Sequence, residues 1–155
     1  MAAAPATQKR TSHDNAPQPC VLVADPDHTV RDLVRSVLEE IGLVVLEAGD
    51  ATEARKWLRD KVVGLVLAGV MLPHTSGDRL AAEIARRNII LALMSGHSEG
   101  IRRAQAVRKA VLRKPLQIKD ILRIAILCLP SWRCPARNSM VHSAKLDLSP
   151  AGDVD

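Results

Sequence analysis

Apolar residues along this chain occur in two kinds of pattern, and the first is a short, almost uninterrupted run. Five such runs are present, separated by longer stretches in which polar and apolar residues are mixed. Continuous apolar runs of this length are typical of strands that are covered on both faces of a parallel sheet. The pattern predicts strands at 20–24 (CVLVA), 43–48 (LVVLEA), 63–69 (VGLVLAG), 89–94 (IILALM) and 110–113 (AVLR).

The second pattern has the period of a helix and fills the intervals between the runs. In the first interval the apolar residues recur three or four positions apart, as on a helix with one buried face. They are Val30, Leu33, Val34, Val37, Leu38 and Ile41. Thr29 with Asp32 predicts a capping box at the start of this helix, and Gly42 predicts its end.

The next two intervals have the same helical character. The second helix is predicted to start at Asp50, with Glu53 reaching back to the cap. Its buried residues are predicted to be Ala54, Trp57 and Leu58. The third helix follows Ser76-Gly77, and its buried residues are predicted to be Leu80, Ala81, Ile84 and Ala85.

Two further helices complete the series, one over about 98–109 and the last over about 118–129, where Pro130 should stop it. The core face of the last helix is predicted to be Ile121, Leu122, Ala125 and Leu129. Other apolar residues widen that stripe beyond one face, which predicts a surface for a partner. They are Ile118, Ile124, Ile126 and Leu127.

Strand and helix alternate five times, which predicts an α/β fold of the (βα)5 kind. Right-handed crossovers between parallel strands then give a doubly wound, five-stranded parallel sheet with helices on both faces. In such sheets ligands bind at the carboxyl ends of the strands. The side chains that follow each strand are therefore the candidates for function.

Length and composition fit one folded domain with two additional end segments. The chain has 155 residues, of which 47% are hydrophobic and 25% charged, and these are ordinary proportions for a globular protein. Residues 1–19 are predicted to be a disordered segment and residues 131–155 a flexible tail, because neither has a sustained apolar period. The folded domain is predicted to span 20–130.

The three cysteines, Cys20, Cys128 and Cys134, follow no metal-binding or paired spacing, which predicts reduced thiols. Residues 1–19 contain no apolar run of the secretory type, and no stretch is long and apolar enough to span a membrane. A cytoplasmic protein that does not contact the membrane is expected.

Polar groups follow the strands in an order that suggests phosphoryl chemistry. The first strand ends in Asp25-Pro26-Asp27, the fourth in Ser95, and the fifth in Lys114. Carboxylates can hold Mg²⁺ or attack phosphorus, whereas a hydroxyl and an ammonium group can bind phosphoryl oxygens. The third strand, however, ends in Gly69, which has no functional group.

These strand ends resemble the receiver domain of bacterial two-component response regulators, in particular the single-domain chemotaxis-type receivers. The resemblance spans residues 20–129 and is carried by VLVADPDHTVRDLV, LVLAGVMLPHTSG, LALMSGHSE and AVLRKPLQIKDIL. It implies a flavodoxin-like receiver fold, membership of phosphorelay signal transduction, and no enzymatic activity.

The resemblance also assigns roles to the strand ends. Asp25 matches the first of two acids in the family, Pro26 replaces the second, and Gly69 occupies the position of the phosphoacceptor Asp. Ser95 matches the hydroxyl residue, and Lys114 matches the lysine. We therefore expect a pseudo-receiver with no cofactor and with Mg²⁺ binding lost or weak. Its remnant pocket is predicted to comprise Asp25, Asp27, Ser95 and Lys114.

Charge is concentrated in the segment 101–123, which holds eight basic residues and one acidic residue. In the receiver fold this segment forms the face made of helix 4, strand 5 and helix 5, which the family uses for dimers and outputs. Val111 occupies the position of the family's aromatic switch residue. We call the following set the basic face and predict that it binds a partner: Arg102, Arg103, Arg108, Lys109, Lys119 and Arg123.

A strongly basic face attracts either an acidic protein or nucleic acid. No aromatic residue is interleaved to stack on bases, so nucleic acid is disfavoured. The expected partner is a histidine kinase or another response regulator, and a homodimer through the same face is a further possibility.

Other interpretations of the same residues stay open at this point. Asp25 and Asp27 also resemble the DxD motif of haloacid-dehalogenase-type phosphatases, but no later acidic pair is present to hold Mg²⁺. A basic adaptor outside phosphorelay signalling would have the same sequence features. Structural interpretations are that Lys114 pairs with Asp25 and that Ser95 bonds to nearby backbone. His28, His74 and His97 could bind a metal, but solvated loop histidines are favoured by their spacing.

Overall fold

The computed structural model describes residues 19–73, 77–106 and 110–132. Strands and helices alternate along this part of the chain, as the apolar pattern predicts. The strands are β1 (Cys20–Ala24), β2 (Val45–Ala48), β3 (Val63–Gly69), β4 (Ile90–Ser95) and β5 (Ala110–Arg113). The helices are α1 (His28–Glu40), α2 (Ala51–Asp60), α3 (Gly77–Arg86), α4 (Ser98–Ala106) and α5 (Ile118–Trp132).

The five strands form one sheet in the order β2-β1-β3-β4-β5, and every neighbouring pair is parallel. The order reverses direction at β1, so successive crossovers cover both faces of the sheet. This is the doubly wound, flavodoxin-like receiver fold that the sequence predicts. All five carboxyl ends lie along one edge, where the candidate residues stand.

Two apolar cores pack on the two faces of the sheet. One core joins α1 and α5 to the sheet through residues such as Val34, Leu38 and Ile121. The other joins α2 and α3 through residues such as Leu58, Leu80 and Ile84. Leu, Val, Ile and Ala side chains make up most of both cores. Trp57 packs against the second core, and its indole N–H donates to the Glu47 carbonyl at 2.8 Å.

The start of α1 corrects one prediction. The capping box of Thr29 and Asp32 is wrong, because Asp27 is the cap and its carboxylate accepts from the Thr29 backbone N–H at 2.9 Å. Asp27 lies two residues before the predicted cap Thr29, and the loop after β1 places its carboxylate at the first turn of the helix. The end of the helix is as predicted, since Gly42 adopts φ 86°, which glycine tolerates without strain.

The start of α2 is confirmed, with Asp50 accepting from the Glu53 backbone N–H at 2.8 Å and the Glu53 carboxylate accepting from the Gly49 N–H at 2.8 Å. In α3 the buried positions are confirmed except for Ala85, which is exposed. Ala85 lies about 100° around the helix from Ile84, beyond the edge of the buried stripe.

The end of α5 differs from the prediction that Pro130 stops it, because the helix continues to Trp132. A proline removes one backbone donor, and a helix that ends two residues later loses little by it. The predicted fourth helix is described as far as Ala106, and residues 107–109 lie outside the described part of the chain.

The described residues contain two cysteines outside any disulfide, Cys20 and Cys128, whereas Cys134 lies outside the described part of the chain. Burial raises the pKa of the Cys128 thiol to about 11, which keeps this group protonated near neutral pH. Within 19–73, 77–106 and 110–132, no helix has the length and apolar character that crossing a membrane requires.

Candidate functional site

The four strands β1, β3, β4 and β5 are consecutive in the sheet, so the residues at their carboxyl ends form one row. Asp25 follows β1, Gly69 ends β3, Ser95 ends β4, and Lys114 follows β5. Register places Gly69 beside Met94 and places Ser95 beside Arg113. The fold therefore brings these four residues to one edge of the sheet, as expected from the strand order.

Asp25 lies at the β1 end of this row, and its carboxylate is fully buried. Lys114 Nζ donates to Oδ2 at 2.6 Å, and the backbone N–H of Asp27 donates to Oδ1 at 2.9 Å. Both oxygens are thus engaged, and the interpretation in which Lys114 pairs with Asp25 is confirmed. A buried carboxylate is stable only with such compensation.

Gly69 lies directly beside this ion pair. A Cβ atom at position 69 would be 2.7 Å from Asp25 Oδ2 and 3.3 Å from its Cγ. The Asp25 carboxylate therefore occupies the space that any side chain at position 69 would need. Gly69 supplies room for the ion pair as well as lacking a nucleophile of its own.

Ser95 is buried and its hydroxyl is turned to the start of α4. Its Oγ accepts from the His97 backbone N–H at 3.2 Å and lies 3.2 Å from the His97 carbonyl, to which it can donate. The interpretation in which Ser95 bonds to nearby backbone is confirmed. Gly100 of α4 packs against this hydroxyl, and a Cβ at position 100 would be 2.6 Å from it.

Asp27 contributes a backbone N–H to the row, but its side chain does not take part in the row. The carboxylate is exposed and caps α1. The hydrogen bond from the Thr29 backbone N–H holds the pKa of the Asp27 carboxyl below its usual value. Of the four residues predicted for the remnant pocket, Asp25 and Lys114 touch each other, Ser95 faces α4, and the Asp27 carboxylate serves the helix.

This cap gives a prediction about pH. Because the pKa of Asp27 is lowered by folding, its contribution is complete above the unfolded pKa of about 3.9 and is lost as pH falls through the folded pKa. Asp27→Ala should lower the melting temperature by a few degrees at pH 7, and this difference should shrink towards pH 3. Asp27→Asn keeps the cap without the charge and is the control; a pH-independent deficit in Asp27→Ala would contradict the assignment.

Two residues at the site were not predicted from the sequence. Arg31 of α1 donates from Nη1 to the Asp25 carbonyl at 2.6 Å and pairs with Glu47 of β2 at 3.4 Å. It fixes the backbone of the β1–α1 loop beneath the ion pair. Gly100 is the second, because only the packing of α4 on β4 shows that a small residue is required there.

Within the described residues, no group of three or more His, Cys, Asp or Glu side chains could hold a metal ion. His28 and His97 are exposed, whereas His74 lies outside the described residues.

The basic face is described in part. Arg102 is 80% exposed and lies 3.9 Å from Glu99 of the same helix, while Lys119 and Arg123 of α5 are exposed. The side chains of Arg103, Arg108 and Lys109 lie outside the described residues. Arg113 at the end of β5 is exposed too and extends the same surface.

Apolar residues accompany these charges on α5. Ile118, Ile126 and Leu127 are between 51% and 58% exposed, as predicted for a widened stripe. Ile124 corrects that prediction, because it is 3% exposed and belongs to the core between α5 and the sheet. The surface of α5 therefore combines cationic and aliphatic side chains.

Comparison with known proteins agrees with this fold. The sequence profile of the family described as response regulator receiver domain matches residues 21–126. The chain is 31% identical over 132 residues to the transcriptional regulatory protein PdtaR of Mycobacterium tuberculosis, covering 82% of this chain and 64% of PdtaR. It is 26% identical over 121 residues to the DNA-binding transcriptional regulator NtrC of Azospirillum brasilense, covering 75% of this chain and 25% of NtrC.

The chain thus spans less than two-thirds of the length of these relatives. Among solved structures, the receiver domain of NtrX from Brucella abortus superposes with a TM-score of 0.65 at 25% identity, covering 72% of this chain and 98% of that domain. The profile match covers most of the folded part and includes every strand end described above. The chain belongs to the response regulator receiver domain family of two-component systems.

Proposed function

We propose that this chain is a pseudo-receiver: a receiver-like regulator that does not accept phosphate at the end of β3 and acts by binding a protein through its basic face. The observation that carries the proposal is Gly69 beside a closed Asp25–Lys114 ion pair. Receiver domains act in signalling and interact with histidine kinases or other response regulators. This chain keeps that role in protein interaction but is not phosphorylated.

Phosphoryl transfer to this pocket lacks a nucleophile. A carboxylate must approach phosphorus in line with the leaving oxygen, and position 69 offers no side chain. Asp25 is a poor substitute, since it is fully buried and both of its oxygens are already engaged. A haloacid-dehalogenase-type role for Asp25 and Asp27 meets the same objection, because the first would be the nucleophile and the second serves as a helix cap.

The residues present also do not fit the Mg²⁺ ion that the fold family implies. Mg²⁺ is held by carboxylates and water in a near-octahedral shell. Position 26 is proline, position 69 is glycine, and Lys114 already neutralises Asp25 at 2.6 Å. A cation would have to displace this ammonium group and would gain only one protein carboxylate.

The surface favours an acidic protein as the partner. The exposed cations of the basic face attract negative charge, and the exposed aliphatic residues of α5 offer apolar contact that nucleic acid would not use. A histidine kinase or another response regulator with an acidic docking surface is the proposed partner. A second copy of the chain through this face is the alternative, although it would bring like charges together. We place the protein in the cytoplasm, as cysteines outside any disulfide suggest.

Incubation with acetyl phosphate and Mg²⁺ tests the first half of the proposal. The protein should gain no phosphoryl adduct in intact-mass measurement, because no accessible carboxylate lies at the end of β3. A receiver with an Asp at the corresponding position, treated in parallel, is the positive control. A stoichiometric adduct on any Asp of this chain would refute the pseudo-receiver assignment.

A further inference from the structure

Among the described residues, two polar side chains are buried, Asp25 at 0% exposure and Ser95 at 4%. Both belong to the remnant pocket, and each stands directly against a glycine. Gly69 meets Asp25, and Gly100 meets Ser95. The two contacts lie at different places in the row, one between β1 and β3 and the other between β4 and α4.

At the first contact the carboxylate has no freedom to move aside. A Cβ at position 69 would stand 2.7 Å from Asp25 Oδ2, closer than real Cβ atoms come to other heavy atoms. Asp25 is held on one side by Lys114 and on the other by the backbone N–H of Asp27. A side chain at position 69 would therefore separate Asp25 from Lys114.

The second contact sets the position of a helix. A Cβ at position 100 would stand 2.6 Å from Ser95 Oγ, and 3.4 Å from both Ser95 Cβ and Val70 Cγ1. Either the hydroxyl must turn away from the His97 backbone, or α4 must move off the ends of β3 and β4. Because Gly100 has no side chain, α4 can pack directly against the ends of β3 and β4.

The two contacts are connected through β5. The Lys114 backbone N–H donates to the Ser95 carbonyl at 2.9 Å, and the Lys114 side chain reaches Asp25. Lys114 therefore links the β1 contact to the β4–α4 contact. Lys114 also directly follows β5, which is part of the output surface.

We propose that Gly69 and Gly100 hold the remnant pocket closed, and that the closed pocket fixes α4 and β5 in one arrangement, so that the basic face has a single conformation set by packing. The closed pocket comprises Asp25, Gly69, Ser95, Gly100 and Lys114. In this arrangement Asp25 takes the place of a side chain at position 69, and the Lys114 ammonium group neutralises it without phosphate or metal. The proposal rests on the proposed function only in treating this face as the output surface.

Single and double variants test the packing. Gly69→Ala and Gly100→Ala should each reduce the folding equilibrium constant by about tenfold or more, as overpacking does. The same substitutions should cost little in Asp25→Ala and Ser95→Ala backgrounds, respectively, because the opposing oxygen is gone. Gly49→Ala is the matched control, since a Cβ there would make only ordinary contacts at 3.6 Å and 3.8 Å.

If a single glycine variant fails to fold, the corresponding double variant decides the outcome. Recovery of the fold in Gly69→Ala/Asp25→Ala supports the proposal, and continued failure overturns it. If Gly69→Ala is tolerated as well as Gly49→Ala, or if its cost is the same without Asp25, the closed pocket does not exist as described.

Amide spectra test whether the pocket fixes the face. In ¹H–¹⁵N correlation spectra, Gly69→Ala and Gly100→Ala should shift the amides of Arg102, Arg113 and Ile118, whereas Gly49→Ala should leave them in place. If the glycine variants lose stability while the amide signals of α4 and β5 stay in place, the closed pocket does not set the conformation of the basic face. Phosphate incorporation measured by intact mass on the same unmodified protein would refute the proposed function while leaving the double-variant result unaffected.

Discussion

Gly69→Asp should destabilise the protein strongly and should restore little phosphorylation. The new side chain would collide with Asp25, and it would place a second carboxylate beside a buried one that has a single ammonium partner. An uncompensated buried charge costs about 3 kcal/mol or more, which corresponds to a fall of roughly 10 °C in melting temperature for a domain of this size. Thermal unfolding and acetyl phosphate labelling of the purified variant measure both effects.

Adding Pro26→Asp should change the outcome, because it supplies the other carboxylate that Mg²⁺ requires. Without metal the double variant should be less stable than the single one, since the carboxylates repel one another at close range. Mg²⁺ should raise its melting temperature and allow much more phosphorylation, while leaving the melting temperature of the natural protein unchanged.

Gly69→Asp/Pro26→Ala is the control for this repair, because it removes the proline ring without adding a charge. If the control variant is labelled as well as the double Asp variant, the proline affects the loop and not the metal. If Gly69→Asp alone is labelled as well as the double variant, the account of Pro26 is wrong.

Much of this fold is predictable because its strands are buried on both faces. The strands β1, β3 and β5 occupy the predicted residues, since their apolar runs stop where the chain leaves the core. The predicted start of β2 is two residues early. Leu43 is apolar, but its backbone N–H bonds to the Leu38 carbonyl at 3.1 Å to complete the end of α1. Apolar character alone cannot separate that role from a place in the sheet.

The candidate site could likewise be predicted from the sequence only in part. The contact of Asp25 with Lys114 could be predicted, because strand order brings oppositely charged side chains to one edge. The roles of Arg31 and Gly100 could not, since each depends on how a helix is placed above a strand end. The sequence pattern likewise predicted Thr29 as the cap of α1, whereas the path of the loop after β1 places Asp27 there.

Charge reversal on the basic face should have the largest effect on binding. Arg102→Glu, Lys119→Glu and Arg123→Glu change the charge by two each, so the net charge goes from +5 to −1. The partner is first captured on the natural protein from a lysate of the source cells and identified as a histidine kinase or response regulator. Its affinity for the triple variant should then be about 10- to 100-fold lower at low salt, mainly through slower association.

The matched control reverses three exposed cations at the other edge of the sheet, Lys56, Arg59 and Lys61, on and just after α2. It has the same net charge as the triple variant, so any effect of overall charge appears in both. Only the α4–α5 variant should lose affinity, and the difference should shrink as added salt screens the face. Equal losses in both variants would mean that the partner senses net charge alone, and no loss in the α4–α5 variant would move the docking surface away from the basic face.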